Sequence, residues 1–132
     1  SLLLGSKSFI ERATRLRKML GGGMRQAGVL AAAGQIALEQ GPLRLHEDHD
    51  NADYLTSGLA AIPELDINPE NTQTNIVYAR CRQGKARALR DHLANQGILI
   101  TAGDPIRFVT HLDISRQDVD ALLDGIRQFY RA

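Results

Sequence analysis

The sequence has a single cysteine, few aromatic residues and no long hydrophobic run. Because Cys81 has no second cysteine to pair with, an internal disulfide framework is excluded, and the reducing cytoplasm is the expected compartment. No apolar run approaches the roughly 20 residues that span a bilayer. The leucines at 2–4 are too few for a signal sequence. These absences predict a cytoplasmic protein with no membrane partner.

The charge of the chain is unevenly distributed, although its net charge is only +1. Residues 7–25 carry a net charge of +5, so the rest of the chain carries −4. Such a basic segment suits a phosphate-bearing cofactor, an acidic partner surface or nucleic acid. Nucleic acid is the weakest of these interpretations, because Phe9 is the only aromatic residue placed among the basic ones for base stacking. A solvated helix face explains Arg12 and Arg15 equally well.

Three consecutive glycines, Gly21–Gly23, separate two predicted helices. Glycine allows the backbone to turn where a side chain would clash. The second helix is predicted over 25–40, with Arg25 in its first turn and a run of small residues at 27–34 that permits close packing. A helix N-terminus presents unpaired N–H groups and a partial positive charge. With Lys18 and Arg25 beside it, the glycine run is therefore a candidate anion site.

Apolar spacing and helix breakers predict five helices and three strands in all. The helices are expected at about 9–20, 25–40, 42–62, 86–96 and 115–130, and the strands at 75–79, 98–100 and 107–110. Gly41 and Pro42 separate the second helix from the third, because proline suits the first turn of a helix. Cys81 is interpreted as an unreactive residue at a strand end.

The last predicted helix has the clearest local signals, and it completes the prediction of the fold. Ser115 is a candidate N-cap, Asp118 favours the first turn, and a stripe of apolar residues follows. Three strands flanked by helices predict an α+β fold with a small, mainly antiparallel sheet. The short connection between the last two strands predicts a hairpin.

His46, His49 and Asp50 invite interpretation as a metal site. The zinc-peptidase motif needs histidines four residues apart, so that both face one ion, whereas these are three apart. An exposed polar helix face is the preferred interpretation, and no metal is predicted. His111 and Asp113 follow a strand, where we expect loop hydrogen bonding in preference to acid–base chemistry.

Arg107 is the strongest candidate for a binding residue. It begins an apolar strand after Gly103-Asp104-Pro105, at a place where packing has no need of an arginine. A guanidinium offers a rigid fork that can bind a carboxylate through two parallel hydrogen bonds. From the residues alone, a surface ion pair is the alternative explanation.

Several segments resemble the low-specificity L-threonine aldolases, which are pyridoxal-phosphate enzymes of the β-eliminating lyase/threonine aldolase family. The segments follow one another in the family's order and at about its spacing, and they cover essentially all 132 residues. They are Ser1-Leu2-Leu3-Leu4-Gly5, Arg17–Gly28, Ala31-Ala32-Ala33-Gly34, Arg44–Ala52, Thr74-Asn75 and Arg107–Asp113.

The resemblance implies the C-terminal portion of an enzyme with the type I pyridoxal-phosphate fold. Residues 1–40 would then be the end of the large domain and its connecting and interface helices, and 41–132 would be the small domain. In the family, the lysine that forms the Schiff base with pyridoxal 5'-phosphate lies a few residues before the segment that matches residues 1–5. The chain alone is therefore expected to be inactive.

The resemblance also implies roles for individual residues. Arg107 would bind the carboxylate of the amino-acid substrate, and Lys18 would be a polar catalytic residue that does not form the Schiff base. Arg25, Gly22 and Gly23 would lie at the cofactor phosphate or at a subunit interface.

The activity that the resemblance implies is the cleavage of L-threonine or L-allo-threonine to glycine and an aldehyde, by a homodimer or homotetramer. Two alternatives stay open. One is a sibling β-eliminating lyase with the same fold. The other is a non-catalytic assembly or binding module from a split or decayed gene.

Overall fold

The computed structural model describes residues 2–131. Within them, the regular elements are α1 (Lys7–Met19), α2 (Gly28–Ala60), β1 (Leu65–Asp66), β2 (Ile76–Cys81), α3 (Ala86–Ala94), β3 (Ile106–Val109) and α4 (Arg116–Arg131). Short 3-10 helices occupy Pro69–Asn71 and Arg82–Gly84. The chain divides into two compact units, residues 1–44 and residues 45–132.

Capping interactions define both ends of α1. The hydroxyl of Ser6 caps the first turn. At the other end, the amides of Gly21 and Gly22 donate hydrogen bonds to the carbonyls of Lys18 and Arg17 at 3.2 and 2.8 Å. This is the Schellman arrangement, which requires a left-handed residue, and Gly21 has a φ of +85°. The predicted end of the first helix at the glycine run is confirmed.

The second helix begins later than predicted. Gln26 has a φ of +51°, a left-handed conformation that cannot continue into a right-handed helix, and α2 starts at Gly28. Arg25 therefore lies in the connection before α2. Its predicted place in the first turn of the helix is wrong.

Pro42 does not open a separate helix. The 33 residues of α2 form one helix with Pro42 inside it, so the prediction of a break at Gly41 and Pro42 is wrong. An interior proline removes one N–H donor and crowds the carbonyl four residues earlier, and it can kink a helix without ending it. The later turns of α2 also bury Ala52, Leu55 and Leu59, and this packing stabilises the helix beyond the proline.

The unit formed by residues 1–44 encloses no hydrophobic core. None of its described side chains, at positions 2–44, is buried. Phe9 and Leu16 of α1 are 47% and 55% exposed, and Val29 and Leu30 of α2 are exposed as well. Apolar surface of this extent on a protein is typical of an interaction surface.

The unit formed by residues 45–132 contains an antiparallel sheet in the order β1-β2-β3. In the register of β2 and β3, Tyr78 pairs with Arg107 and Val77 pairs with Phe108. Val77 and Phe108 are buried, while Tyr78 and Arg107 are exposed. One face of the sheet therefore packs on the core and the other is open. The predicted α+β fold with a small antiparallel sheet is confirmed.

Two of the three predicted strands are present. β2 and β3 correspond to the predictions at 75–79 and 107–110, but residues 98–100 form no strand. The third strand is β1, which pairs with the far end of β2. The predicted hairpin is wrong, because the partner of β3 is β2 and not the segment immediately before it.

The core lies between the buried face of the sheet and the three helices of this unit. It comprises Ala52, Leu55, Leu59, Ile62, Leu65, Val77, Ala79, Cys81, Ala86, Leu89, Leu93, Ile106, Phe108, Val119, Leu123 and Ile126. The predicted apolar faces of α3 and α4 are confirmed, as is the position of Cys81 at the end of a strand, where the structure shows it buried. Within residues 2–131, no helix combines the length and the apolar character that a membrane span requires.

Candidate functional site

Arg107 lies on the open face of the sheet. Its strand neighbours Ile106 and Phe108 are buried, whereas Arg107 and its cross-strand partner Tyr78 are exposed. The interpretation that packing does not need this arginine is therefore confirmed. Because residues two apart on a strand share a face, Arg80 of β2 lies on the same open face as Tyr78.

Arg80 is held by an ion pair on this face. Its Nε donates a 2.9 Å hydrogen bond to Oδ1 of Asp104, which precedes β3. The two side chains are 58% and 60% exposed, so solvent reaches both. On the other side of β2, Asp66 of β1 pairs with Arg80 in the register of the sheet. The open face thus carries two arginines, Asp66 of β1, and Asp104 from the segment just before β3.

A cleft of about 600 Å³ opens beside β3. Its lining includes Leu99, Ile100 and Leu122 as apolar residues, and Arg107 and Asp113 as charged ones. The segment that was predicted as a strand at 98–100 therefore forms a wall of this cleft. A concave apolar surface with a few charged groups has the general character of a ligand site.

Thr110, the residue after β3, joins three separate segments of the chain. Its hydroxyl donates to the carbonyl of Asp48 in α2 at 2.6 Å, and its amide donates to the carbonyl of Asn75 at 3.0 Å. The side-chain amide of Asn75 donates back to the carbonyl of Thr110 at 2.7 Å. Thr110 is 1% exposed. These bonds fix the end of β3, and with it the strand that carries Arg107.

A cluster of polar side chains links α4 to α2. The hydroxyl of Tyr54 donates a 2.6 Å hydrogen bond to Asp120. This bond and the charge of Asp120 raise the pKa of Tyr54 above its ordinary value. The guanidinium of Arg116 lies 4.1 Å from the centroid of the Tyr54 ring, in a cation–π contact. The cluster holds the start of α4, and the loop that leads from β3 into it, against α2.

His111 takes part in the hydrogen bonding of the loop after β3. The amide of Asp113 donates to Nδ1 of His111 at 3.3 Å, so the predicted loop hydrogen bonding is confirmed. His46 and His49 lie on α2. Among the described residues 2–131, His, Cys, Asp and Glu side chains form no group of three or more that could hold a metal ion.

Lys18, Gly22 and Gly23 meet at the end of α1. A Cβ atom at Gly23 would stand 2.8 Å from Nζ of Lys18, and one at Gly22 would stand 2.9 Å from the carbonyl oxygen of Arg17. Glycine is needed at Gly22, because the close atom there belongs to the main chain, whereas at Gly23 the close atom is the end of a flexible lysine side chain that can move aside. Because the amide of Gly22 already bonds Arg17, an anion at this turn would be bound mainly by the side chains of Lys18 and Arg25, which are both exposed.

The five predicted site residues fall in both units. Lys18, Gly22, Gly23 and Arg25 belong to the unit of residues 1–44, and Arg107 belongs to the unit of residues 45–132. The structure brings Lys18 and the two glycines together at one turn.

Comparison with known proteins identifies the family. Residues 1–82 match the family model described as beta-eliminating lyase. The chain belongs to this family. The low specificity L-threonine aldolase of Escherichia coli strain K12 is 44% identical over 98% of this chain. The low-specificity L-threonine aldolase 1 of Arabidopsis thaliana is 39% identical over 97%, and a probable one from Schizosaccharomyces pombe is 30% identical over 97%.

The chain spans 38%, 37% and 32% of the lengths of these three relatives. It matches their C-terminal part. The resemblance drawn from the sequence segments is therefore confirmed, as a relationship to the C-terminal part of the family's proteins.

Sequence reasoning missed several residues that shape the site. The sequence marks Thr110 and Asn75 only as parts of the segments that resemble the family, and it indicates no role for Arg80 or Asp104. Thr110 is 62 residues from its partner Asp48, and Arg80 is 24 residues from Asp104. No periodic pattern reports a contact over such a separation. The available signal for Thr110 and Asn75 is that both lie in segments that resemble the family.

Proposed function

We propose that this chain is the small-domain part of a pyridoxal-phosphate-dependent aldolase that cleaves L-threonine, L-allo-threonine and related β-hydroxy amino acids to glycine and an aldehyde. The observation that carries the proposal is the position of Arg107. It is an exposed arginine on the open face of β3, inside a chain that is 44% identical to a low specificity L-threonine aldolase.

The described residues fit the charge of the cofactor. Pyridoxal phosphate presents a phosphate anion, and its amino-acid substrate presents a carboxylate. Lys18 and Arg25 supply two exposed cationic side chains close to one glycine turn, and guanidinium and ammonium groups are suited to phosphate. We assign Arg25, with Gly22 and Gly23, to the phosphate or to a neighbouring subunit interface.

When bound, pyridoxal phosphate supplies an electron sink that allows the bond between Cα and Cβ of the substrate to break. The contribution of this chain is to bind and orient the substrate. Arg107 would bind the carboxylate through two parallel hydrogen bonds from its guanidinium, which would fix Cα relative to the cofactor. Lys18 would be a polar catalytic residue that does not form the Schiff base.

The organisation of the whole protein is part of the same proposal. Residues 1–40 would belong to the end of the large domain and its interface helices, and 41–132 to the small domain. The exposed apolar side chains of residues 2–44 support burial of this segment against the rest of a cytoplasmic homodimer or homotetramer.

The direct test is to assay the full-length protein with L-threonine, following the release of glycine and acetaldehyde. Release of both at equal rates supports the proposal. Release of a keto acid and ammonia from another amino acid would instead support the sibling β-elimination, which the name of the family makes the second candidate. The 132-residue chain assayed alone is expected to release neither glycine with acetaldehyde nor a keto acid with ammonia. A non-catalytic module would give the same result.

A further inference from the structure

The open face of the sheet contains a carboxylate that could compete for Arg107. Tyr78 stands opposite Arg107 in the register, and Arg80 lies two residues further along the same strand. Arg80 is therefore the diagonal neighbour of Arg107. Diagonal neighbours on a sheet face are about 7–8 Å apart, which is within reach of long side chains. Asp104 is only three residues before Arg107, and its carboxylate is bonded to Arg80.

We propose that Arg80 is a positioning residue that holds Asp104 away from Arg107, so that the guanidinium of Arg107 stays available to the substrate carboxylate. This inference rests on the proposed function of Arg107. An arginine fork binds an internal carboxylate as readily as a ligand carboxylate of the same geometry. A free Asp104 would therefore act as a built-in competitor of the substrate.

The other carboxylates near this face are placed differently. Asp66 lies on β1, with β2 between it and the strand of Arg107. Asp113 follows β3, and its carboxylate is 3.7 Å from Nδ1 of His111. Asp104 is thus the carboxylate whose release Arg80 controls directly. The two aspartates flanking Arg80 also provide a matched pair of variants, because each removes one negative charge from the same face.

The test is made in the full-length holoenzyme, with glycine as the probe and the absorbance of the cofactor as the readout of binding. Arg80→Gln should weaken glycine binding about two- to fivefold, the range expected for competition from an exposed ion pair. It should raise KM for threonine by a similar factor while kcat stays the same. Adding Asp104→Asn to Arg80→Gln should restore both values, and adding Asp66→Asn should not.

Several outcomes would overturn the inference. They are an unchanged affinity in Arg80→Gln, a loss that Asp104→Asn does not restore, or a loss that Asp66→Asn restores equally well. The last result would indicate general electrostatics and not competition. The single variant Asp104→Asn gives a second test that does not depend on the folding of Arg80→Gln. It should bind glycine as the parent does, and binding more than about threefold tighter would show that Asp104 already holds Arg107.

These results are separable from a failure of the proposed function. If Arg107→Ala leaves glycine binding intact, the assignment of Arg107 fails and the inference about Arg80 fails with it. If Arg107→Ala abolishes binding while Arg80→Gln has no effect, only the role of Arg80 is overturned.

Discussion

The hydroxyl of Thr110 donates a 2.6 Å hydrogen bond to the main-chain carbonyl of Asp48. The bond is buried and joins residues 62 positions apart in the sequence. It connects the end of the strand that carries Arg107 with α2, the longest helix described. The position of the candidate carboxylate-binding strand therefore depends on a contact with a distant helix as well as on the sheet.

Thr110→Val should destabilise the chain by about 1–3 kcal/mol, because the substitution keeps the shape of the side chain but removes a buried donor. Thr110→Ser keeps the hydroxyl and should lose less. Urea unfolding of the two variants and the parent measures the difference. Equal stability of Thr110→Val and the parent would show that this bond contributes nothing to the fold.

Gly58 of α2 lies directly against Leu123 of α4. A Cβ atom at Gly58 would stand 2.8 Å from Cδ2 of Leu123, which is 1% exposed and cannot move aside freely. Gly58→Ala should therefore cost about 1–3 kcal/mol through overpacking, although alanine is the better helix former. Ser57→Ala, on the exposed side of the same helix, is the control and should change stability by less than about 0.5 kcal/mol. A stabilising effect of Gly58→Ala in thermal unfolding would contradict this packing.

Ser115 and Asp118 cap α4 reciprocally. The amide and the hydroxyl of Ser115 donate to the carboxylate of Asp118 at 2.8 and 2.6 Å, and the amide of Asp118 donates to the Ser115 hydroxyl at 3.2 Å. The side-chain bond first, and then the main-chain bond, hold the pKa of Asp118 below its ordinary value of 3.8. The confirmed N-cap can therefore be detected through the lowered pKa of Asp118.

Because the pKa of Asp118 is lowered by folding, its contribution to stability is complete above pH 3.8 and is lost as the pH falls through the folded-state pKa. Ser115→Ala should raise this pKa towards 3.8 and cost about 1 kcal/mol at neutral pH through loss of the cap. Titration of the Asp118 carboxyl carbon by NMR measures the shift. An identical titration in the parent and the variant would rule out the capping bonds in solution.

Ala31 belongs to the run of small, exposed residues at the start of α2. If this run packs closely against another subunit, Ala31→Trp in the full-length protein should weaken assembly by overpacking the contact. Sedimentation velocity at several concentrations measures the oligomer, and Glu39→Gln on the same helix serves as a control. An unchanged oligomer with unchanged cofactor affinity would show that this surface is not the interface.

Local signals predicted much of the fold. The cap at Ser115, the glycine stop after α1 and the apolar faces of α3 and α4 depend on residues within one or two turns of each other, and all are present. Such signals act through neighbours that the sequence itself places together. This is why these elements could be predicted without knowledge of the rest of the chain.

The errors occurred where other forces override local preference. Pro42 predicts a break, but α2 continues through it, and packing of the later turns stabilises the part of the helix beyond the proline. Residues 98–100 have the composition of a strand, yet β3 pairs with β2 and leaves them to line a cleft. Strand pairing is decided by tertiary contacts, and propensity alone does not identify the partner.

For the candidate site, the sequence suggests candidate residues, whose roles stay predictions, but it does not indicate the contacts that hold them in place. Arg107 stands out in the sequence because packing of an apolar strand does not need an arginine, which indicates a binding role. The ion pair of Arg80 with Asp104 and the bond of Thr110 to Asp48 became evident only from the structure. Both contacts join residues that are far apart in the chain, and neither involves an unusual residue type.

The most direct test of the account is the affinity of the full-length Arg107→Ala variant for glycine, measured through the absorbance of the cofactor. A charged, hydrogen-bonded pair in a desolvated site is worth about 2–5 kcal/mol on truncation, so the affinity for glycine should fall, and catalytic efficiency with threonine should fall roughly 30- to 4000-fold, while the cofactor stays bound. Arg107→Lys should recover only part of this loss, because an ammonium cannot form the two parallel hydrogen bonds of a guanidinium. Arg87→Ala, which removes an exposed arginine of α3, should bind glycine as the parent does. If Arg107→Ala also binds glycine as tightly as the parent, Arg107 does not hold the substrate and the central claim is contradicted.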